Sequence, residues 1–430
     1  VTQRARRIEP VTRPLHGELS VPGDKSIGHR AVIFAAIANG TSRIANLSGG
    51  EDNHSTIEAF KTLGVKISGD DRLLTIEGKG FEGLAAPMKV IDCGNSGTTM
   101  RLLSGIVAGR PFVSMLDGDA SLRRRPMKRI AEPLEKMGAR FESNDGRAPL
   151  NIHGGALKGI RYATPVASAQ VKSAILLAGL QADGVTTVEE PQQSRDHTEI
   201  MARALGAKLE ARGNIVSVQG GPKLAAFDIS VPGDLSSAAF FMAAAAMIPG
   251  SDVVIRGVGC NPTRAGVIDV LRRMGASIEM LDQKTAAGEP VADIRVRGAR
   301  LKGVDIGPEM VARTIDEYPI LAVAAGLAQG ITAICGAKEL RYKESDRITV
   351  MTEQLRRLGV DVEERDDGMI IEGRGRLKGA SVQSAGDHRV AMSLAVAGLS
   401  ADGGVEIDDT ACADISFPGF FRMLERIAGT

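Results

Sequence analysis

Tryptophan is absent from the 430 residues, and aromatic side chains make up only 3% of them. A chain so poor in stacking surfaces is not built to hold single-stranded bases. An excess of one charge is lacking too, because 53 Lys and Arg against 52 Asp and Glu leave a net charge of +1. No global field draws such a chain to nucleic acid or to an anionic membrane. The four cysteines, Cys93, Cys260, Cys335 and Cys412, lie far apart with no C-x-x-C pair and no histidine cluster nearby. That pattern argues against structural zinc and suits a reducing compartment, so a cytoplasmic protein is expected. The longest apolar runs, such as Ala238–Ile248, are too short to span a bilayer. Arg4, Arg6 and Arg7 have no apolar stretch behind them, so they read as a solvated tail and not as a secretory signal. Asp24 stands where a Walker A loop needs glycine before its lysine, and no G-x-S-x-G or H-E-x-x-H run occurs. Nothing in the sequence calls for a metal or an organic cofactor.

What is present is a repeat. With 43% hydrophobic and 24% charged residues the chain can bury a large core, and its length predicts two domains. Amphipathic helical patterns ending in a glycine recur about every 70 residues, at Gly64, Gly138, Gly206, Gly275 and Gly359, with a truncated copy at Gly429. Each is followed by residues that start a strand. A second series of segments, apolar on nearly every face, is predicted to end at Gly40, Gly109, Gly184, Gly250, Gly330 and Gly403, and those helices should be buried. Val21-Pro-Gly-Asp24 returns as Val231-Pro-Gly-Asp234, each time ahead of a buried helix. The chain therefore divides into two similar domains of three units, one spanning 21–233 and the other taking 1–20 with 234–430, with the Pro-Gly segments as crossings.

The chemistry gathers where loops meet the starts of the buried helices. These read GDKSIGHR (23–30), CGNSGTTMR (93–101), ASAQVKS (167–173), GDLSSAA (233–239), TIDEYP (314–319) and GDHRVAM (386–392), and SLRRRPM (121–127) and YKESDR (342–347) precede amphipathic helices. Helix N-termini attract anions and disfavour cations, yet Lys25, Arg30, Arg101 and Arg389 lie in or near first turns. A ligand with several negative charges accounts for that arrangement. Taken singly, each residue has a plainer reading. Lys25 and Arg389 are surface charges, Ser168 and Ser194 are helix caps, Arg123–Arg125 is a solvated run, and Asp316 and Glu344 are capping carboxylates. Their recurrence at equivalent ends of repeated units favours a shared site.

In order along the chain, GDKSIGHRA, CGNSGTTMR, SLRRRPM, SAQVKSAILLAGL, DEYPILAVAAG, LRYKESDRI, GDHRVAM and ISFPGFF resemble the signatures of the 5-enolpyruvylshikimate-3-phosphate synthases, within the enolpyruvyl transferase family. The resemblance implies an α/β fold of two similar domains, each of three βαβαββ units around buried helices (an inside-out α/β barrel), with the active site in the interdomain cleft. It implies transfer of the enolpyruvyl group of phosphoenolpyruvate to the 5-hydroxyl of shikimate 3-phosphate, with release of phosphate. Carried over by motif, Lys25, Gly97, Arg125, Gln170, Arg347 and Arg389 would hold phosphoenolpyruvate. Shikimate 3-phosphate would fall to Lys25, Ser26, Arg30, Ser168, Ala169, Gln170, Ser194, Asp316 and Lys343. Asp316, Glu344 and Lys25 would move protons. No cofactor, nucleic acid or membrane is implied, and a monomer is expected.

The chain departs from many members of that family at Leu102, where proline is common, and at Ile415, where some carry lysine. SRDHTE (194–199) resembles the less common branch. A related transferase acting on UDP-N-acetylglucosamine has Lys-Asn in place of Lys25-Ser26 and a cysteine in the loop occupied here by Asp117–Arg124, which has none. A non-catalytic binder of anions or RNA ends on the same scaffold, resembling the RNA 3′-phosphate cyclases, would gain nothing from Asp316 and Glu344.

Overall fold

The computed structural model describes residues 5–286 and 288–429. It divides into two compact units. One takes the described residues up to Pro22 with Pro232–Lys284 and those from Pro290 onward, and the other takes Gly23–Val231 with the short stretch Thr285–Glu289. The chain thus passes from one unit to the other inside each Val-Pro-Gly-Asp segment.

The Gly23–Val231 unit is built from three buried helices, Lys25–Ile37, Gly97–Val107 and Ala169–Gly179, each backed by a four-stranded sheet. The unit that holds both ends of the chain has buried helices Leu235–Met247, Tyr318–Leu327 and His388–Gly398, backed by two four-stranded sheets and one three-stranded sheet. Among the described residues the six sheets stay separate and close into no barrel. In each four-stranded sheet one parallel pair is followed by two antiparallel neighbours. Asp228–Ser230, for example, runs parallel to Asn39–Ala45, which pairs with Leu73–Lys79 and then Lys66–Asp70. The strand just before each crossing completes the first sheet of the unit the chain is about to leave. His16–Ser20 does this beside Asp252–Gly259, and Asp228–Ser230 does so beside Asn39–Ala45.

The buried helices are apolar on all sides because they are enclosed on all sides. Every residue of Leu235–Met247 is buried. Where two of them meet, the contact needs a missing side chain, since a Cβ on Gly105 would lie 2.2 Å from the Ala174 carbonyl oxygen. The motif ISFPGFF supplies core rather than chemistry. Phe417 and Phe420 stack edge-on with Phe240 and Phe241 at centroid distances of 5.6–6.1 Å, each pair contributing about 1 kcal/mol beyond its buried area. All four cysteines are free, and only Cys335 is exposed. Among the described residues no helix is long and apolar enough to cross a membrane.

The glycine series need correction in part. Gly64, Gly138, Gly206, Gly275, Gly359 and Gly429 do follow the amphipathic helices with positive φ. In the second series Gly109 directly follows Ala108, the cap of its buried helix, but the others lie further on. The first buried helix stops at Ile37, and Gly40 already lies in the next strand, as do Gly330 and Gly403 in theirs. A third series went unread. A Cβ on Gly78, Gly154, Gly220, Gly298 or Gly373 would come within 1.8–2.3 Å of a carbonyl oxygen at the end of a buried helix. None of these five has positive φ, so they are present for close approach, at or just past the end of an inner strand in each four-stranded sheet, where it meets the helix terminus.

The N-terminal reading also changes. Arg4 lies outside the described residues, but Arg6–Ile8 is a strand paired antiparallel with Val405–Ile407. Its sheet is the one with three strands, so the segment fills an open edge. Arg6 sits 4.7 Å over the Phe421 ring and 3.2 Å from Glu425.

Candidate active site

In the Gly23–Val231 unit the starts of the three buried helices are tied together by side chains. Asp24, Ser96 and Ser168 are the caps, each accepting a hydrogen bond from its own helix's first turn. Gln170 joins two of the helices, since its amide donates to Thr98 Oγ1 at 2.9 Å while its oxygen accepts from Arg101 at 2.6 Å. A hydroxyl relay joins the third. His29 Nδ1 meets Thr56 Oγ1 at 2.6 Å, which meets Thr99 Oγ1 at 2.7 Å.

Around this rim stand three cations. Lys25 lies 2.7 Å from Asp52, a carboxylate the sequence reading passed over. Arg125 donates to Asn95 at 2.8 Å. Within the RRR run the roles separate, because Arg123 grips Asp117 through two nitrogens at 2.9 and 2.5 Å, an exposed pair. Arg101, which the sequence reading left without a role, converges with Arg125 on Gly97. A Cβ there would sit 2.7 Å from Arg101 Nη1 and 3.3 Å from Arg125 Nη1.

Arg30 lies deeper than these cations. It is buried, and its guanidinium donates to Thr198 Oγ1 at 2.6 Å, Ser173 Oγ at 2.7 Å and its own helix's Ser26 carbonyl at 2.9 Å. Burial pulls its pKa down to about 10, against the opposing pull of Glu199 and Asp24. Ser194 is no helix cap either, since the next helix begins at His197 and its preceding residue is Asp196. Its hydroxyl donates to Glu190 at 2.6 Å. Glu190 and Lys172 lie beneath the rim, and neither was singled out in the sequence.

The other unit arranges the same parts with more carboxylates. Its helix caps are Asp234, Glu317 and Asp387, all acidic. A short helix, Pro308–Thr314, precedes Tyr318–Leu327 and leaves Asp316 in the turn between them. Arg347 is the hub and is fully buried. It meets Asp387 at 2.8 Å, Glu344 at 2.7 Å and Asp316 at 3.8 Å. Burial alone would pull its guanidinium down, but these carboxylates, Asp387 foremost, outweigh burial and hold it above the ordinary arginine value. Asp387 is held below the usual carboxylate range, because Arg347 overcomes the upward push of burial. Lys343 lies 3.5 Å from Asp316, and Arg389 donates to the Asp316 carbonyl at 3.1 Å. Ser236 donates to Glu317, which completes the links among the three helix starts.

One unit therefore presents cations with hydroxyls and amides, and the other presents cations interleaved with acids. The first set suits anion binding and the second suits proton transfer beside an anion. Of the predicted residues, Lys25, Ser26, Arg30, Gly97, Arg125, Ser168, Ala169, Gln170 and Ser194 lie in the first unit, and Asp316, Lys343, Glu344, Arg347 and Arg389 in the second. Among the described residues no group of His, Cys, Asp and Glu could hold a metal ion.

The fold is one shared with enolpyruvyl transferases. NikO from Streptomyces tendae superposes with a TM-score of 0.78 over 99% of this chain and 98% of its own, a likeness that at 18% identity speaks for the fold alone. The chain belongs to the EPSP synthase (3-phosphoshikimate 1-carboxyvinyltransferase) family, whose model matches residues 10–424. The 3-phosphoshikimate 1-carboxyvinyltransferase of Geobacter sulfurreducens is 54% identical over 97% of each chain, and that of Bacillus thuringiensis subsp. konkukian is 51% identical over 99% of this chain and all of its own. The EPSP synthase structure from Acinetobacter baumannii superposes with a TM-score of 0.89 at 47% identity, covering 99% of this chain and 98% of that one.

Proposed function

We propose that the chain transfers the enolpyruvyl group of phosphoenolpyruvate to the 5-hydroxyl of shikimate 3-phosphate, a transferase step of aromatic amino-acid biosynthesis. Family membership at more than half identity over nearly the full length carries this reading. Both substrates are polyanions, and at 4 Å and an effective dielectric near 20 each like-charge pair opposes their contact by roughly 4 kcal/mol. Lys25, Arg125, Arg347 and Arg389 offset that cost by holding phosphoenolpyruvate, with the Gly97 backbone and Gln170 against it. Lys25, Ser26, Arg30, Ser168, Ala169, Gln170, Ser194, Asp316 and Lys343 receive shikimate 3-phosphate.

In the first step Asp316 takes the proton of the 5-hydroxyl as its oxygen attacks C2 of phosphoenolpyruvate. Glu344, with Lys25 as a second candidate donor, delivers a proton to C3. The double bond becomes a tetrahedral carbon bearing a methyl group, the new ether and the phosphate. In the second step the phosphate leaves with the C–O electron pair and takes up the proton held by Asp316, Glu344 takes a proton back from C3, and the double bond re-forms. Arg347 ties both proposed acids to one buried charge and so fixes their spacing. We also propose that the protein acts as a cytoplasmic monomer without nucleic acid or membrane, in keeping with its balanced charge and scattered thiols. The test is phosphate release. It should require both substrates together and should not occur with UDP-N-acetylglucosamine in place of shikimate 3-phosphate; release with the nucleotide sugar would overturn the reading.

A further inference from the structure

Beneath the first unit's rim lies a buried charge cluster that the reaction does not itself use. Glu190 follows the strand Val185–Glu189, and its backbone is pinned on both sides by Asn214, whose carbonyl accepts from Glu190 N at 2.9 Å and whose amide donates to the Glu190 carbonyl. All of its carboxylate is engaged. Oε1 accepts from Ser168 N at 3.1 Å and from Ser194 Oγ at 2.6 Å. Oε2 accepts from Ser194 N at 3.2 Å and meets Lys172 Nζ at 2.8 Å. Lys172 also meets Glu199 at 2.8 Å, and all three side chains are at most 3% exposed. Burial pulls the Lys172 ammonium down, yet the carboxylates, Glu199 foremost, raise it above the ordinary lysine value, so it stays charged.

A buried negative charge directly behind two serines assigned to a phosphate is electrostatically adverse, and its presence there needs a reason. We infer that Glu190 is a positioning residue for the phosphate of shikimate 3-phosphate, holding Ser168 and Ser194 at a fixed separation on one rigid carboxylate. The inference rests on the proposed function. The Ser194 hydroxyl has a single hydrogen, directed here at Glu190. A phosphate oxygen seated on Ser194 takes that hydrogen, and Ser194 N and Ser168 N keep the two residues in place while it does so. Lys172, 2.8 Å from the carboxylate, balances its charge behind the site.

The test compares two isosteric variants that each remove one negative charge from Lys172. Glu190→Gln puts an amide NH2 against either the serine donors or the ammonium, whereas Glu199→Gln touches neither serine. Charge alone predicts that both tighten binding of an anion. Positioning predicts that Glu190→Gln raises the calorimetric Kd for shikimate 3-phosphate by about tenfold or more, the loss of one to two directing hydrogen bonds. Glu199→Gln should bind as the parent does or more tightly, although both variants lower the melting temperature. A Glu190→Gln protein that binds as tightly as the parent overturns the inference. Should that variant fail to fold, Glu190→Asp keeps the charge but withdraws it by one methylene; it should weaken binding similarly, and parent-like affinity there overturns the inference equally. A parent chain that does not bind shikimate 3-phosphate sinks the functional reading and this inference with it, while a binding parent with an unaffected Glu190→Gln sinks the inference alone.

Discussion

Replacing Gly97 with alanine should leave the protein as stable as before or slightly more so, and yet impair its handling of phosphoenolpyruvate. Gly97 is the first residue of a helix and has no positive φ, so alanine suits the backbone and should stabilise it by about 0.5 kcal/mol. The obstacle is local. The new methyl would lie 2.7 Å from Arg101 Nη1 and 3.3 Å from Arg125 Nη1, both far ends of flexible side chains. Restoring ordinary contact requires the Arg101 guanidinium to retreat by about 0.7 Å, which stretches its 2.6 Å bond to Gln170. That bond stays within hydrogen-bond reach, but the methyl also crowds Arg125. Loss of one hydrogen bond from that charged group to phosphoenolpyruvate costs about 1.5–3 kcal/mol, so the KM for phosphoenolpyruvate should rise by roughly ten- to a hundredfold. The assay is initial-rate phosphate release at saturating shikimate 3-phosphate, with a thermal melt on the same preparation. The melt should stay level or rise by about 0.5–1 °C. A KM within twofold of the parent would refute the view that Gly97, Arg101 and Arg125 together face this substrate.

Three further outcomes follow from the same geometry. Glu344→Gln should retain both substrates and lower kcat by about two to four orders of magnitude, the range for loss of a proton-transfer group; near-parent turnover removes Glu344 from the proposed mechanism. The neighbours Gly154 and Gly155 should respond oppositely to alanine. A Cβ at the first meets the Val107 carbonyl oxygen at 2.2 Å and one at the second meets nothing within 4 Å, so urea unfolding should show a loss of about 3 kcal/mol or more for Gly154→Ala and almost none for Gly155→Ala. Burial holds the His29 imidazole down at about 3, against 6.5 when unfolded. The unfolded chain therefore binds the proton first, and stability is lost as pH falls from about 6.5 towards about 3, by about 1.4 kcal/mol per pH unit for this one group. A His29→Gln variant should show a shallower decline by that amount, and an identical slope would contradict the assignment.

The motifs at the helix starts made the candidate site legible because charges that are out of place in a first turn fall there at recurring chain positions. A lysine or arginine in a first turn is anomalous without an anion, and the anomaly can be read from a string of letters. The positive-φ glycines after the amphipathic helices were legible for a similar reason, because a helix has to stop somewhere. Gly78, Gly154, Gly220, Gly298 and Gly373 were not, because what excludes their side chains is a carbonyl contributed by another element, and no local pattern announces it. Glu190 and Asp387 escaped notice likewise. Each looks like an ordinary acidic residue in sequence and becomes significant only when its partners arrive from elsewhere, Lys172 and the two serines for one and Arg347 for the other. Arg30 shows the converse limit. Its place in GDKSIGHR marks a cation near a helix start, but the letters do not show that one and a half turns into a buried helix its guanidinium is bonded to Thr198, Ser173 and Ser26.

The central claim is addition of the 5-hydroxyl to phosphoenolpyruvate followed by elimination of phosphate, and the product formed in deuterium oxide tests it most directly. Addition places a solvent deuteron on C3, and elimination then removes one of three hydrogens from the transient methyl group. Nuclear magnetic resonance should therefore show the enolpyruvyl ether of shikimate 3-phosphate at the 5-position, formed in equal amount to free phosphate, with deuterium in its methylene group. Phosphate released without that ether, or an ether formed at another hydroxyl, would contradict the account.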